Sequence, residues 1–211
     1  MEKDRFGVTM LRGITGSGKT EVFLSVASKI ISDSQQVLIL VPEIVLSSGL
    51  VSRIYETLGI MPAEWNSGIK GSRKKEIFDS LMSDDGQIQV VVGARSALFL
   101  PFKKLGLIII DEEHDISFKQ QDGIRFNARD MGVLRAHCEK IHIILSSATP
   151  SLETILNCKV GKYKRIDIKK RFREEAKILT KVIDMKNEDI KAEKSLSPQL
   201  TSLVAEHLNR G

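Results

Sequence analysis

The sequence predicts an α/β domain in three layers, with helices on both faces of a mostly parallel sheet, and three observations predict it. Short unbroken aliphatic runs recur along the chain, at Val37 to Val41, Val90 to Val92, Leu107 to Ile110 and Ile143 to Leu145. Runs of this length without alternation suit strands buried on both faces, which is the setting of parallel sheets. Segments with apolar residues at helical spacing lie between them, and strands alternating with helices give a parallel sheet covered on two sides. A glycine-rich loop joins the first strand to the first helix, at Gly13 to Thr20.

Taken in order, Phe6 to Leu11 reads as a strand and Glu21 to Ile31 as a helix whose apolar face carries Val22, Val26, Ala27 and Ile30. Pro42 stops the second strand, and a helix follows from about Ile44 to Leu58 with Leu46, Leu50, Ile54 and Leu58 on one face. Met61 to Asn66 is a weak strand, and Ser72 is the expected cap of a helix running to Met82. Ser83 to Gly86 is a turn before the strand Gln89 to Val92. The strand ending at Ile110 leads into acidic residues and a polar loop from Asp115 to Asn127. A helix over about Ala128 to Lys140 precedes the strand at Ile141, and Ser151 caps a helix to about Val160. Beyond Gly161 the pattern loosens: Lys164 to Ile168 and Lys181 to Met185 read as strands, and Lys186 to Lys194 as a charged flexible stretch. Ser197-Pro198 starts a last helix, with an N-cap serine, proline in the first turn, and Leu200, Leu203, Val204 and Leu208 on one face.

The hydrophobic content of 42% is enough for a substantial core in 211 residues. No apolar run reaches the length of a membrane span, and the charged N-terminus lacks a signal-peptide core. These features predict a cytoplasmic protein without a membrane partner. Cys138 and Cys158 lack neighbours at metal-ligand spacing and read as reduced, mostly buried thiols. The net charge of +5 is uneven: Lys159 to Lys181 holds ten Lys/Arg against three Asp/Glu, a net of +7, so the rest sums to −2. That strip suits either a phosphate backbone or plain solvation.

Gly13-Ile-Thr-Gly-Ser-Gly-Lys-Thr20 fits G-x-x-x-x-G-K-[ST], a loop whose inward-turned amides nest phosphates. Gly13, Gly16 and Gly18 are expected to supply its dihedrals. Lys19 is placed to reach the β- and γ-phosphates, and the Thr20 hydroxyl to ligate Mg²⁺. The loop residues Gly13, Thr15, Gly16, Ser17, Gly18, Lys19, Thr20 and Glu21 are the candidate ATP-binding set. Asp111 and Glu112 close a buried strand, and in an open α/β sheet ligands bind beyond the carboxyl ends of strands. The two sites are therefore expected to converge, Asp111 on Mg²⁺ and Glu112 as general base toward the attacking water.

Asp111-Glu-Glu-His114 and Ser147-Ala-Thr149 resemble motifs II and III of superfamily 2 helicases. The wider set is similar to the primosomal protein N′ (PriA) family of bacterial replication-restart helicases: Gly16 to Val22, Leu40 to Ile44, Arg95 to Phe99, Asp111 to Asp115, Lys119 to Gly123, Arg125 to Asp130 and Ser147 to Glu153. The match is dense over residues 7–168. It implies a RecA-like P-loop NTPase domain with Lys19, Asp111, Glu112 and His114 in the catalytic set. His114 with Ser147 and Thr149 would couple nucleotide state to movement. Pro42, Glu43, Arg95 and Ser96 would touch a single-stranded DNA backbone. Phe118, Lys119, Arg125 and Phe126 fall in the family's aromatic-rich, DNA-sensing loop. From residue chemistry alone other readings stand beside these: Phe118 and Phe126 as core, Arg95 paired with a carboxylate, His114 as a hydrogen-bonding support, and Ser147 and Thr149 as a strand end and helix cap.

The resemblance further implies a 3′–5′ helicase that couples ATP hydrolysis to translocation on single-stranded or forked DNA. Primosome and single-strand-binding proteins would be its partners, in a nucleoid-associated setting. Ala94, Ile116, Asn127 and Ser146 depart from the family's usual threonine, serine, histidine and glycine. Nothing after Thr149 resembles motifs IV to VI, so the expected division is a helicase ATP-binding domain over 1–168 and, over 169–211, a basic connector with the start of a second lobe. A chain holding only the first lobe is expected to bind nucleotide and turn it over weakly. The rival readings are a nucleotide-gated module without catalysis, or another superfamily 2 translocase.

Overall fold

The computed structural model describes residues 6–42, 48–84, 86–169, 182–183 and 196–209. The chain divides into two compact units, Met1–Arg173 and Glu174–Gly211. In the first, strand β1 (Gly7–Gly13) leads to helix α1 (Lys19–Ser32), β2 (Gln36–Leu40), α2 (Ser48–Leu58), β3 (Ala63–Trp65), α3 (Gly71–Met82), β4 (Val90–Gly93) and β5 (Leu105–Asp111). A small hairpin of β6 (Lys119–Gln120) and β7 (Phe126–Asn127) precedes α4 (Ala128–Cys138), β8 (His142–Ser147), α5 (Leu152–Lys159) and β9 (Lys164–Ile168).

Seven strands form one sheet in the order β3-β4-β2-β5-β8-β1-β9, every pair parallel. Strand β8 thus lies between β1 and β5, so the loops leaving those three strands open side by side at one sheet edge.

The strand side chains alternate between two cores. Leu38, Leu40, Ile108, Ile110, Ile143 and Leu145 face one side, where Ile77 and Leu81 of α3 and Ala128 and Ala136 of α4 cover them. Val37, Ile39, Leu107, Ile109 and Ile144 face the other, under Phe23, Leu24 and Ala27 of α1 and Ile54 of α2. This is the three-layer arrangement the aliphatic runs predict. Each fully buried Leu, Ile or Val contributes about 1.5–3 kcal/mol.

Local readings differ in informative places. Helix α1 starts at Lys19, because Gly18 adopts φ 86° and serves as its N-cap. Its buried face is Phe23, Leu24 and Ala27, while Val22 and Val26 are exposed; both sets satisfy an i, i+4 spacing, and the phase is set by the sheet. Helix α3 is capped at Lys70, not Ser72, and the Lys70 side chain makes no capping hydrogen bond. Cys138 is exposed rather than buried; Cys158 is half-buried, and burial pushes its thiol pKa up.

The start of the helix expected from Ile44, the strand expected over Lys181 to Met185 and the charged run Lys186 to Lys194 lie wholly or largely outside the described residues. In the second unit, helix α6 (Pro198–Asn209) begins as expected, with Ser197 Oγ accepting the Leu200 amide at 3.1 Å. Among the described residues no helix is long and apolar enough to cross a membrane.

Candidate functional site

The phosphate-loop motif occupies the turn between β1 and α1. Gly16 (φ 75°) and Gly18 (φ 86°) adopt left-handed backbone that side chains with a Cβ rarely tolerate. Gly13 has another reason: a Cβ there would stand 2.3 Å from Ser17 Oγ. Its requirement is space, not a dihedral. Lys19 is buried, and its Nζ donates to the Gly13 carbonyl at 2.9 Å, so the ammonium is folded back over the loop. Ser17 Oγ is buried with no hydrogen-bond partner among the described residues. Thr15 and Gly16 are exposed and Thr20 half-buried. Glu21 lies on the surface, 3.6 Å from Arg53 of α2.

Asp111, Glu112 and His114 follow the end of β5. Glu112 takes φ 49°, a left-handed conformation uncommon for a residue with a side chain. The turn brings its amide back to Asp111 Oδ1 at 3.1 Å and its carboxylate 3.9 Å from Lys19 Nζ. The two motifs, ninety-odd residues apart in the chain, are thus in contact. His114 Nδ1 lies 2.8 Å from Ser147 Oγ and 3.6 Å from Glu112 Oε2. Ser147 Oγ also accepts the Thr149 amide at 3.0 Å, so the strand end at β8 is wired to both the histidine and the next turn. Thr149 itself is exposed.

Sequence reasoning passed over Glu113. Its side chain is completely buried, yet it accepts four protein hydrogen bonds, one of them from its ion-pair partner. Ser151 donates through its amide (2.8 Å) and hydroxyl (3.1 Å), Thr154 through its hydroxyl (3.2 Å), and Arg129 Nη1 at 3.3 Å. Arg129 also bonds Ser151 Oγ and Asp130. Burial works against the charged guanidinium, but Asp130 and then Glu113 more than offset it and its pKa is raised. This clasp ties the Asp111–His114 segment to the N-termini of α4 and α5. In the sequence Glu113 is one acidic residue among three, and only the fold reveals its partners.

The aromatic-rich stretch is more ordered than the loop expected there. Asp115 caps a short 3-10 helix (Ile116–Phe118); the Ser117 amide at 2.8 Å holds its carboxyl below the usual range. Asn127 caps α4 by accepting the Arg129 amide at 3.0 Å. Phe118 is buried in the core beside α4, the core reading of this ring rather than an exposed place in the DNA-sensing loop. Phe126 is half-buried, edge-on to the exposed Phe99 at 5.2 Å. Arg95 pairs with no carboxylate among the described residues; its Nη1 donates to the carbonyls of Ser117 (3.2 Å) and Lys119 (3.1 Å), bracketing Phe118. Ser96, Lys119 and Arg125 are exposed, Pro42 is buried at the end of β2, and Glu43 lies outside the described residues.

The residues fit a nucleotide with a divalent cation. The orphaned Ser17 hydroxyl and the Lys19 ammonium both need acceptors, which phosphate oxygens provide. Among the described residues no three His, Cys, Asp or Glu side chains converge as a metal cage. Mg²⁺ held by one carboxylate, a hydroxyl, waters and phosphate oxygens requires no such cage.

A family model described as DEAD/DEAH box helicase matches residues 5–158. The replication restart protein PriA of Rickettsia conorii is 43% identical over 201 residues, 95% of this chain and 31% of that protein. PriA of Haemophilus influenzae is 40% identical over 206 residues (98% and 28%), and that of Bacillus subtilis 34% over 212 (100% and 26%). The chain spans under a third of the length of these curated relatives. Among solved structures, RecG bound to a three-way DNA junction aligns with TM-score 0.54 and 23% identity, over 82% of this chain and 22% of that one. The DEAD-box helicase Mss116 bound to ssRNA and UDP-BeF aligns with TM-score 0.52 and 11% identity, over 78% and 33%. At these identities the structural likeness is one of fold.

Proposed function

The chain belongs to the DEAD/DEAH box helicase family, and we propose that it works there as the first, nucleotide-binding motor lobe of a replication-restart DNA helicase. The observation that carries this reading is the contact between the phosphate loop and the Asp111–His114 turn across β8, with Lys19 and Glu112 in one ion pair. The identity with PriA proteins over nearly the whole chain supports the replication-restart assignment.

In this reading Lys19 exchanges its Gly13 carbonyl for the phosphates of ATP, and the Ser17 hydroxyl gains an acceptor. Thr20 and Asp111 hold Mg²⁺, which neutralises charge on the β- and γ-phosphate oxygens when bound. Glu112, released from Lys19, orients and deprotonates the attacking water. His114 and Ser147 then relay the state of Glu112 to the turn at Thr149. Single-stranded or forked DNA is the track, met by Ser96, Lys119, Arg125 and Phe126, and movement is 3′–5′. Arg95 joins these contacts while its Nη1 also steadies the hairpin. Residues 1–168 form the ATP-binding domain and 169–211 the basic connector toward a second lobe. That lobe would bring the arginine finger, worth about 10³–10⁵ in rate. Primosome and single-strand-binding proteins are the proposed partners, in the cytoplasm.

The test is Mg·ATP hydrolysis by this chain, with and without single-stranded DNA. The expected result is nucleotide binding with turnover near background, as a lobe without its finger requires. Strong DNA-stimulated turnover would show that the chain completes its own site and would overturn the half-motor reading. Glu112→Gln should keep nucleotide affinity within about threefold, because it retains the shape of the side chain, and remove what hydrolysis exists, since general-base catalysis contributes about 10²–10⁴-fold. Turnover that stands above a Lys19→Ala blank and is equal in the variant and the parent would exclude Glu112 as the base.

A further inference from the structure

Ser146 lies on β8 in register with Asp111 of β5 and is completely buried. Its hydroxyl donates to Asp111 Oδ1 at 2.7 Å. The same oxygen accepts the Glu112 amide at 3.1 Å. The two lone-pair directions of Oδ1 are thus both taken by protein donors, while Oδ2 has none among the described residues. The backbone of Ser146 adds a third tie, its carbonyl accepting the Glu113 amide at 3.1 Å. The neighbouring hydroxyl of Ser147 serves other partners, His114 and the Thr149 amide.

We propose that Ser146 is a positioning residue that fixes which oxygen of Asp111 faces a divalent cation. The inference rests on the reading of Asp111 as the carboxylate that holds Mg²⁺. An aspartate is soft about its terminal torsion, and its carboxylate rotates readily. With the Glu112 amide alone, the group would pivot about a single donor. A second donor, from a different strand, defines the plane. Oδ1 is then turned into the sheet and Oδ2 presented outward, so the cation meets a ligand that is already oriented. Hydrogen bonds of this kind to ligating carboxylates are typically worth about 10–100-fold in metal affinity.

The experiment titrates a fluorescent ADP against the chain, first in EDTA and then across a Mg²⁺ series, with Mn²⁺ binding read by electron paramagnetic resonance. Ser146→Ala should keep the metal-free nucleotide affinity within about twofold and raise the Mg²⁺ midpoint about tenfold, with Mn²⁺ affinity falling in step. Ser146→Gly, which also lacks the hydroxyl, should match it and serves if the alanine variant melts early. Unchanged midpoints in both variants would overturn the proposal, because the Glu112 amide would then suffice. A parallel loss of metal-free and metal-dependent affinity would overturn it too, making Ser146 a support of the loop. If Mg²⁺ leaves the parent's nucleotide affinity unmoved, the reading of Asp111 itself fails, a result distinct from either of these.

Discussion

Replacing Lys19 with alanine should lower Mg·ATP affinity by about 10²–10⁴-fold while the fold survives. The side chain would donate to two phosphate groups, and hydrogen bonds to charged groups contribute about 1.5–3 kcal/mol each. Two of them give about 3–6 kcal/mol, which is the stated range in dissociation constant. The structural cost is small by comparison. In the free protein the ammonium has one carbonyl at 2.9 Å and a carboxylate at 3.9 Å whose side chain is 32% exposed. A pair this long, with a partly solvated carboxylate, contributes about 1 kcal/mol or less. Calorimetric titration with Mg·ATP, set beside a melting curve, separates the two quantities. Equal affinity in the variant would mean that the glycine-rich turn is not a nucleotide site.

Removing Arg129 should act in the opposite sense, on stability first. Glu113 is shut away from water, and Arg129 is its only cationic partner among the described residues. Stripping one partner from a buried pair typically costs about 3–5 kcal/mol, because the remaining charge has no solvent to turn to. Ser151 and Thr154 still donate to Glu113, which places Arg129→Ala near the lower end of that range. For a chain of this size each kcal/mol lowers the melting temperature by about 2–4 °C, so a drop of about 6–12 °C is expected. By contrast, breaking the exposed Lys103–Asp84 pair should leave the melting temperature nearly unmoved. A shift under 2 °C for Arg129→Ala would mean that Glu113 is held by its hydroxyl and amide donors alone.

The parts of the fold that could be read directly are those where one residue's surroundings follow from its neighbours in the chain. Leu107 to Ile110 is aliphatic without alternation because both faces of β5 are covered, and that requirement is written into a single stretch. The glycine-rich turn before α1 and the acidic end of β5 were equally visible, since residue types and spacing mark both as places where elements end. The phase of α1 was not: Val22–Val26 and Phe23–Ala27 offer the same spacing, and only the sheet beneath chooses. The aromatic character of Phe118 said nothing of direction, and the turn capped by Asp115 sends it inward. Glu113 and Ser146 were illegible for a stronger reason. Their partners, Arg129 and Ser151 in one case and Asp111 in the other, come from distant segments that only the crossovers of the sheet bring together.

The strand order has a bearing on how this chain is made. Among the described strands β1 pairs with β8 and β9, so it waits for partners made long after it. At about 5–20 residues per second, the synthesis from Gly13 to His142 takes on the order of ten seconds. Throughout that time Val8, Met10 and Leu11, all buried in the finished protein, have no permanent cover. A nascent chain of this kind depends on holding its first strand out of wrong pairings until translation catches up. Nucleotide cannot assist, because the walls of its site stand apart until β8 arrives between them.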